Sequence, residues 1–164
     1  MPSRREREPT IVPSLLDRLL DDAPGQTRET QPYRTDDVRG LKRAVARDLE
    51  ALLNTRQEAL EELPESFAEV RRSLVTYGLP DFTASSLLSL RDRTRMRRAL
   101  EETIAVFEPR LERVRITVDD PEPHERALHF RVDGWLRMEP APEPVSFDTV
   151  LQLGTRSYVV QGSG

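Results

Sequence analysis

The sequence predicts an α+β domain, with helices first and an antiparallel sheet after them. Three observations lead to that class. Apolar residues recur at helical spacing from Val38 to Leu53 and again from Met96 to Phe107. Pro109 then ends the second helical pattern, because proline lacks the amide that a continuing helix needs. From Arg113 onward the apolar period is two, which is the period of a strand with one buried face. The expected architecture is about three N-terminal helices packed on a small antiparallel sheet of three to four strands.

Residues 1–34 read as a flexible arm carrying one short amphipathic helix over 12–22. Pro13 and Ser14 open that helix, and Leu15, Leu16, Leu19 and Leu20 form its apolar stripe. A helix this short is marginal alone, so the four leucines are expected to dock on a surface, either of this domain or of a partner. A single domain then spans 35–164. Thr35 is an N-cap candidate with Asp36 and Asp37 in the first turn, and Val38, Leu41, Val45, Leu49, Leu52 and Leu53 mark the buried face of the first long helix. A shorter helical pattern, Phe67, Val70, Leu74 and Tyr77, stops at Gly78 and Pro80. The third helix begins near Leu90. Ser89 and Asp92 have the spacing of a capping box, and Met96, Leu100, Ile104 and Phe107 form its inner face.

Four strands follow. Val114, Ile116 and Val118 alternate with Arg113, Arg115 and Thr117; Leu128, Phe130, Val132, Leu136 and Met138 alternate with polar neighbours. Val145, Phe147, Thr149, Leu151 and Leu153 make a third strand, and Tyr158, Val159 and Val160 a short fourth. The acidic, proline-rich links "DDPEPHE" and "EPAPEP" read as loops.

Composition narrows the function. With no cysteine and two histidines, His124 and His129, thiol chemistry, disulfides and cysteine-based zinc sites are excluded, and the histidines show no metal-ligand spacing. No metal or other cofactor is expected. A net charge of −4 argues against nucleic acid as the main partner. No apolar run approaches the roughly 18 residues that span a bilayer, and no signal peptide is read at the N-terminus, so a cytoplasmic protein is expected. The arginines Arg91, Arg93, Arg95, Arg97 and Arg98 crowd the third helix. At about 100° per residue they spread around it, and Glu101 and Glu102 lie within reach of Arg97 and Arg98. Trp135 falls on the strand face opposite the apolar one, either covered by helices or exposed to a partner.

The junction Glu108–Pro109–Arg110 is the candidate functional motif. Glu108 could be a catalytic acid, half of an internal ion pair, or a contact for another protein. A glycosidase needs two carboxylates about 5 to 10 Å apart with the donor held protonated in an apolar pocket. Here Arg110 and Arg113 favour the charged form instead, and no second acid is marked by spacing. A structural or assembly role is therefore expected, and catalysis is not.

The ordered pieces "PSLLDRL", "RDLEALLNTR", "YGLPDF", "FEPRLERVRITV", "LHFRVDGWL" and "PVSFDTVLQ" resemble the TssE family, the baseplate component of type VI secretion systems. That family is similar to the phage baseplate wedge proteins often labelled lysozyme-like, and Glu108–Pro109–Arg110 matches its hallmark motif. The resemblance implies a phage baseplate wedge-like fold and a non-enzymatic subunit of a contractile injection machine, located at the cytoplasmic side of the inner membrane. It implies the wedge proteins TssF and TssG and the contractile sheath proteins as partners, with TssK as a further candidate, and a role in starting sheath polymerisation. Tyr158, Val159 and Val160 would be the sheath-facing edge. On sequence alone only Arg156 and the closing "QGSG" protect that edge from strand addition. The competing readings are a peptidoglycan hydrolase using Glu108 and a soluble adaptor of the same fold that binds a regulator.

Overall fold

A computed structural model of the chain describes residues 38–58, 66–82, 89–119, 127–139 and 141–162. The arm with Leu15, Leu16, Leu19 and Leu20 lies outside the described residues, as does His124. Two α-helices, α1 (Val38–Asn54) and α2 (Leu90–Phe107), precede four strands: β1 (Leu111–Val118), β2 (Ala127–Leu136), β3 (Glu143–Gln152) and β4 (Ser157–Gly162). The strands form an antiparallel meander in the order β1-β2-β3-β4.

One core lies between the helices and one face of the sheet. From α1 it takes Leu41, Val45, Ala46, Leu49, Leu52 and Leu53, and from α2 Met96, Leu100 and Ile104. The strands add Leu128, Phe130, Val132, Leu136, Val145, Phe147 and Leu151, so the alternation seen in β2 and β3 does set the buried face. Ser89 caps α2, its hydroxyl accepting from the Asp92 amide at 3.3 Å. No helix among the described residues is long and apolar enough to cross a membrane.

The structure departs from expectation in two places. Among the described residues there are two α-helices, not three: the pattern Phe67–Tyr77 forms only two single 3-10 turns, Val70–Arg72 and Leu74–Thr76. Ser73 separates them. Its backbone is extended (φ −95, ψ 171), and its hydroxyl accepts from Val75 N and donates to Val70 O, competing with the helical ladder. Phe67 and Leu74, read as an inner face, are 51% and 86% exposed. The second departure is at the start of β1, which begins at Leu111 and carries a bulge. Glu112 pairs with Trp135 and Arg115 with Asp133, leaving Arg113 and Val114 opposite Gly134. Arg113 takes a left-handed backbone (φ 53). The extra residue explains why Leu111 and Ile116, an odd number of positions apart, both face the core.

Candidate functional site

The elbow between α2 and β1 holds the most deeply buried charge among the described residues. Glu108 is the C-cap of α2: its amide donates to Ile104 O at 2.9 Å, and its carbonyl accepts from Leu111 N at 3.0 Å. Pro109 ends the helix between these bonds, and the chain turns directly into β1. The Glu108 side chain is buried, with only 4% of the residue exposed. Arg110 grips it with two parallel bonds, Nε to Oε1 at 2.7 Å and Nη2 to Oε2 at 2.5 Å. Such fork-to-fork pairing fixes geometry as well as charge. Oε1 also accepts from the Arg110 amide at 3.2 Å.

A third member comes from α1. Arg110 Nη2 donates to Asp48 Oδ2 at 2.5 Å, so one guanidinium ties the first helix to the end of the second. The Arg110 carbonyl accepts from Arg137 N at 2.7 Å, joining the same point to the end of β2. Burial works to discharge Arg110, but hydrogen bonds and charge from Glu108, then from Asp48, outweigh it and raise its pKa. Tyr77 closes the site, its ring edge-on to Phe107 with centroids 5.2 Å apart. Burial first, then the charges of Asp48 and Glu108, raise the Tyr77 phenol.

The loop that carries Tyr77 is stitched to the end of α1. Leu79 N donates to Thr55 O at 2.8 Å, and Gln57 N donates to Leu79 O at 2.8 Å. Gly78 makes this possible, with φ at +106 and so little room that a Cβ would sit 2.5 Å from Thr55 O. Arg56 and Asp81 pair beside it.

The edge at Tyr158, Val159 and Val160 proves to be covered. Asn54 donates to Tyr158 O at 2.9 Å and accepts from Tyr158 N at 2.8 Å, as a neighbouring strand would. Glu50 accepts from Val160 N at 2.9 Å. The protection missing from the sequence reading therefore comes from α1. At the opposite edge of the sheet, Glu101 of α2 accepts from Ile116 N at 3.0 Å. Both edges are blunted by helix side chains.

The arginine cluster on α2 divides. Arg97 pairs with Glu101 at 3.1 Å, while Arg91, Arg95 and Arg98 line one exposed face that Arg93 and Arg97 do not share. Spacings of four and three put those three residues on a common stripe. Trp135 is 40% exposed on the face away from the helices, and His129 is exposed on the same face. Among the described residues no group of three acidic or histidine side chains could hold a metal.

The family model of baseplate wedge protein gp25 matches residues 39–141, more than half of the chain and all of the elbow. The chain belongs to the gp25 baseplate wedge family. No curated protein and no solved structure matches it. For a gp25 wedge protein the elbow is therefore best understood as architecture: Arg110 holds α1, α2, β1 and β2 in one arrangement. Asp48 at the elbow and Glu50 and Asn54 at the β4 edge were not singled out from sequence, and Glu101 was read only as a partner of the helix arginines. Asp48 stands 62 positions from Arg110, and nothing local marks it as a partner.

Proposed function

We propose that this chain is the TssE subunit of a type VI secretion baseplate, joining the TssF/TssG wedge to the contractile sheath and starting sheath polymerisation. The observation that supports this most is the wedge-family match across an elbow whose charges are all turned inward. The role is assembly and not catalysis. Both oxygens of Glu108 are held by Arg110, and Asp48 shares the same guanidinium, so the pair is turned to the interior and not to a substrate cleft. The motif Glu108–Pro109–Arg110 serves by shaping the surface that the wedge proteins meet. The leucines Leu15, Leu16, Leu19 and Leu20 would dock on a partner, and the protein would work in the cytoplasm near the inner membrane.

Sheath engagement at Tyr158, Val159 and Val160 requires Asn54 and Glu50 to give up their bonds to that edge, because an added strand would need the same amides. Co-expression with TssF and TssG, followed by size-exclusion chromatography, tests the reading. A stoichiometric complex that then supports sheath growth is the expected result. Failure to enter the complex, or peptidoglycan clearing in a zymogram that disappears in Glu108→Gln, would overturn it.

A further inference from the structure

Among the described residues the outer face of the sheet, away from the helices, is exposed, and around Trp135 its cations outnumber its carboxylates. The strands present three carboxylates there, Glu112, Asp133 and Asp148, and each is engaged. Arg137 Nε donates to Glu112 at 2.8 Å, Arg131 Nε donates to Asp148 at 3.1 Å, and the Ser146 hydroxyl donates to Asp133 at 2.7 Å. Arg113 and Arg115 remain. Both are exposed, and neither pairs with a carboxylate among the described residues. With Asp133, Gly134, Trp135 and Pro144 they line one shallow depression, at whose rim Lys42 pairs with Glu143.

The bulge builds this depression. It places two residues of β1 against Gly134 alone, where an added Cβ would approach Glu112 O to 3.3 Å. It also holds Arg113 at a φ of 53, which non-glycine residues seldom adopt. On a chain of net charge −4, two guanidiniums against the single carboxylate of Asp133, beside a half-open indole, are a local reversal of sign. Guanidinium forks suit carboxylates, and an indole face suits proline or an aliphatic side chain. We propose that this face docks an acidic, extended segment of a partner protein, with its carboxylates on Arg113 and Arg115 and an apolar residue on Trp135. Two arginines are too few to hold a nucleic-acid backbone on a protein of this charge. The stripe Arg91, Arg95 and Arg98 is more cationic but includes no aromatic residue, which makes it the control. This proposal stands apart from the sheath-initiation reading and survives if that reading fails.

The chain has a single tryptophan, so its emission reports on this face alone. The full chain is titrated with a capped peptide alternating glutamate, proline and leucine, and with the same peptide carrying glutamine for glutamate. A saturable emission shift is expected with the acidic peptide only, weakening about tenfold between about 50 and 500 mM salt. Arg113→Glu with Arg115→Glu should abolish it at unchanged circular dichroism, while Arg91→Glu, Arg95→Glu and Arg98→Glu together should leave it. Should the charge-reversed pair fold poorly, Arg113→Asn with Arg115→Gln removes both charges and keeps a residue that tolerates the bulge. Several results would overturn the proposal: no saturable shift, or an equal shift with the glutamine peptide; loss of the shift in the α2 variant only; or a response that appears only after residues 1–37 are removed. The last would mean that the chain's own arm occupies the face. A tighter response to single-stranded DNA, or a dimer that the peptide splits, would overturn it as well.

Discussion

Arg110 and Arg113 stand three residues apart at the start of one strand and meet opposite fates. Arg110 is folded inward against Glu108 and Asp48 and joins four elements of the domain. Arg113, with Arg115 just beyond it, faces outward beside Trp135 and makes no ion pair among the described residues. The bulge separates the two roles: it lets the chain leave the elbow with Leu111 turned inward and still present two arginines on the far face. The same side chain thus supplies internal architecture at one end of a short stretch and partner chemistry at the other. Neither sequence position nor residue type distinguishes them. Burial and the neighbours brought by distant elements do.

If that contrast is right, disturbing the elbow should be felt throughout the domain. Arg110→Met leaves Glu108 buried without its cation, while the half-buried Asp48 keeps its pair with Arg47, so urea melts should show a loss of about 3 to 5 kcal/mol, nearly all of it from Glu108. Close behind, Gly78→Ala should cost about 2 to 3 kcal/mol, because the left-handed backbone and the contact with Thr55 O both resist a methyl group. An effect near zero would separate the Tyr77 loop from the elbow.

An intermediate effect is expected at the covered edge and depends on pH. Burial pushes the Tyr158 phenol up to about 12 from its usual 10. The unfolded chain therefore loses that proton first as pH rises, and the folded chain binds more protons between these values. The stabilising term is complete below pH 10 and disappears as pH climbs to 12, a fall of about 2 kcal/mol that Tyr158→Phe should remove from alkaline melts. Smaller again is Thr149→Val. Its hydroxyl oxygen is buried without a hydrogen-bond partner among the described residues, so the apolar isostere should raise stability by about 1 kcal/mol. A loss there would mean the hydroxyl is satisfied in solution. Least of all, Arg113→Asn with Arg115→Ser should change stability by less than about 0.5 kcal/mol, as expected of exposed side chains with no ion-pair partner among the described residues. A cost comparable to that at Arg110 would erase the contrast.

The helix stripes and the alternation in β2 and β3 are short-range patterns, and both long helices and all four strands were legible from them. The Glu108–Pro109–Arg110 motif stood out as well, but whether its two charges meet each other or a partner was open in the sequence, and the structure pairs them. The rest depended on contacts that no local pattern encodes. Asp48 reaches the elbow across 62 positions, and Asn54 reaches Tyr158 across 104. The segment from Phe67 to Tyr77 has helical spacing, but its hydrophobic residues find little core to bury in, and Ser73 breaks the ladder. The bulge was hidden because Arg113 to Val118 alternates perfectly by itself; only the pairing with Gly134 shows the extra residue.

The central claim is that Arg110 and Asp48 form one structural unit around the buried Glu108, and a double-mutant cycle on unfolding free energy tests it most directly. Glu108→Gln, Arg110→Met and the combined variant are compared in urea melts, then repeated with Asp48→Asn in each. The account predicts strong coupling: Arg110→Met alone should be the most damaging variant, and neutralising its carboxylate partners should recover much of the loss. Additive effects across the cycle would contradict it, because they would mean that the three charges sit together without acting together.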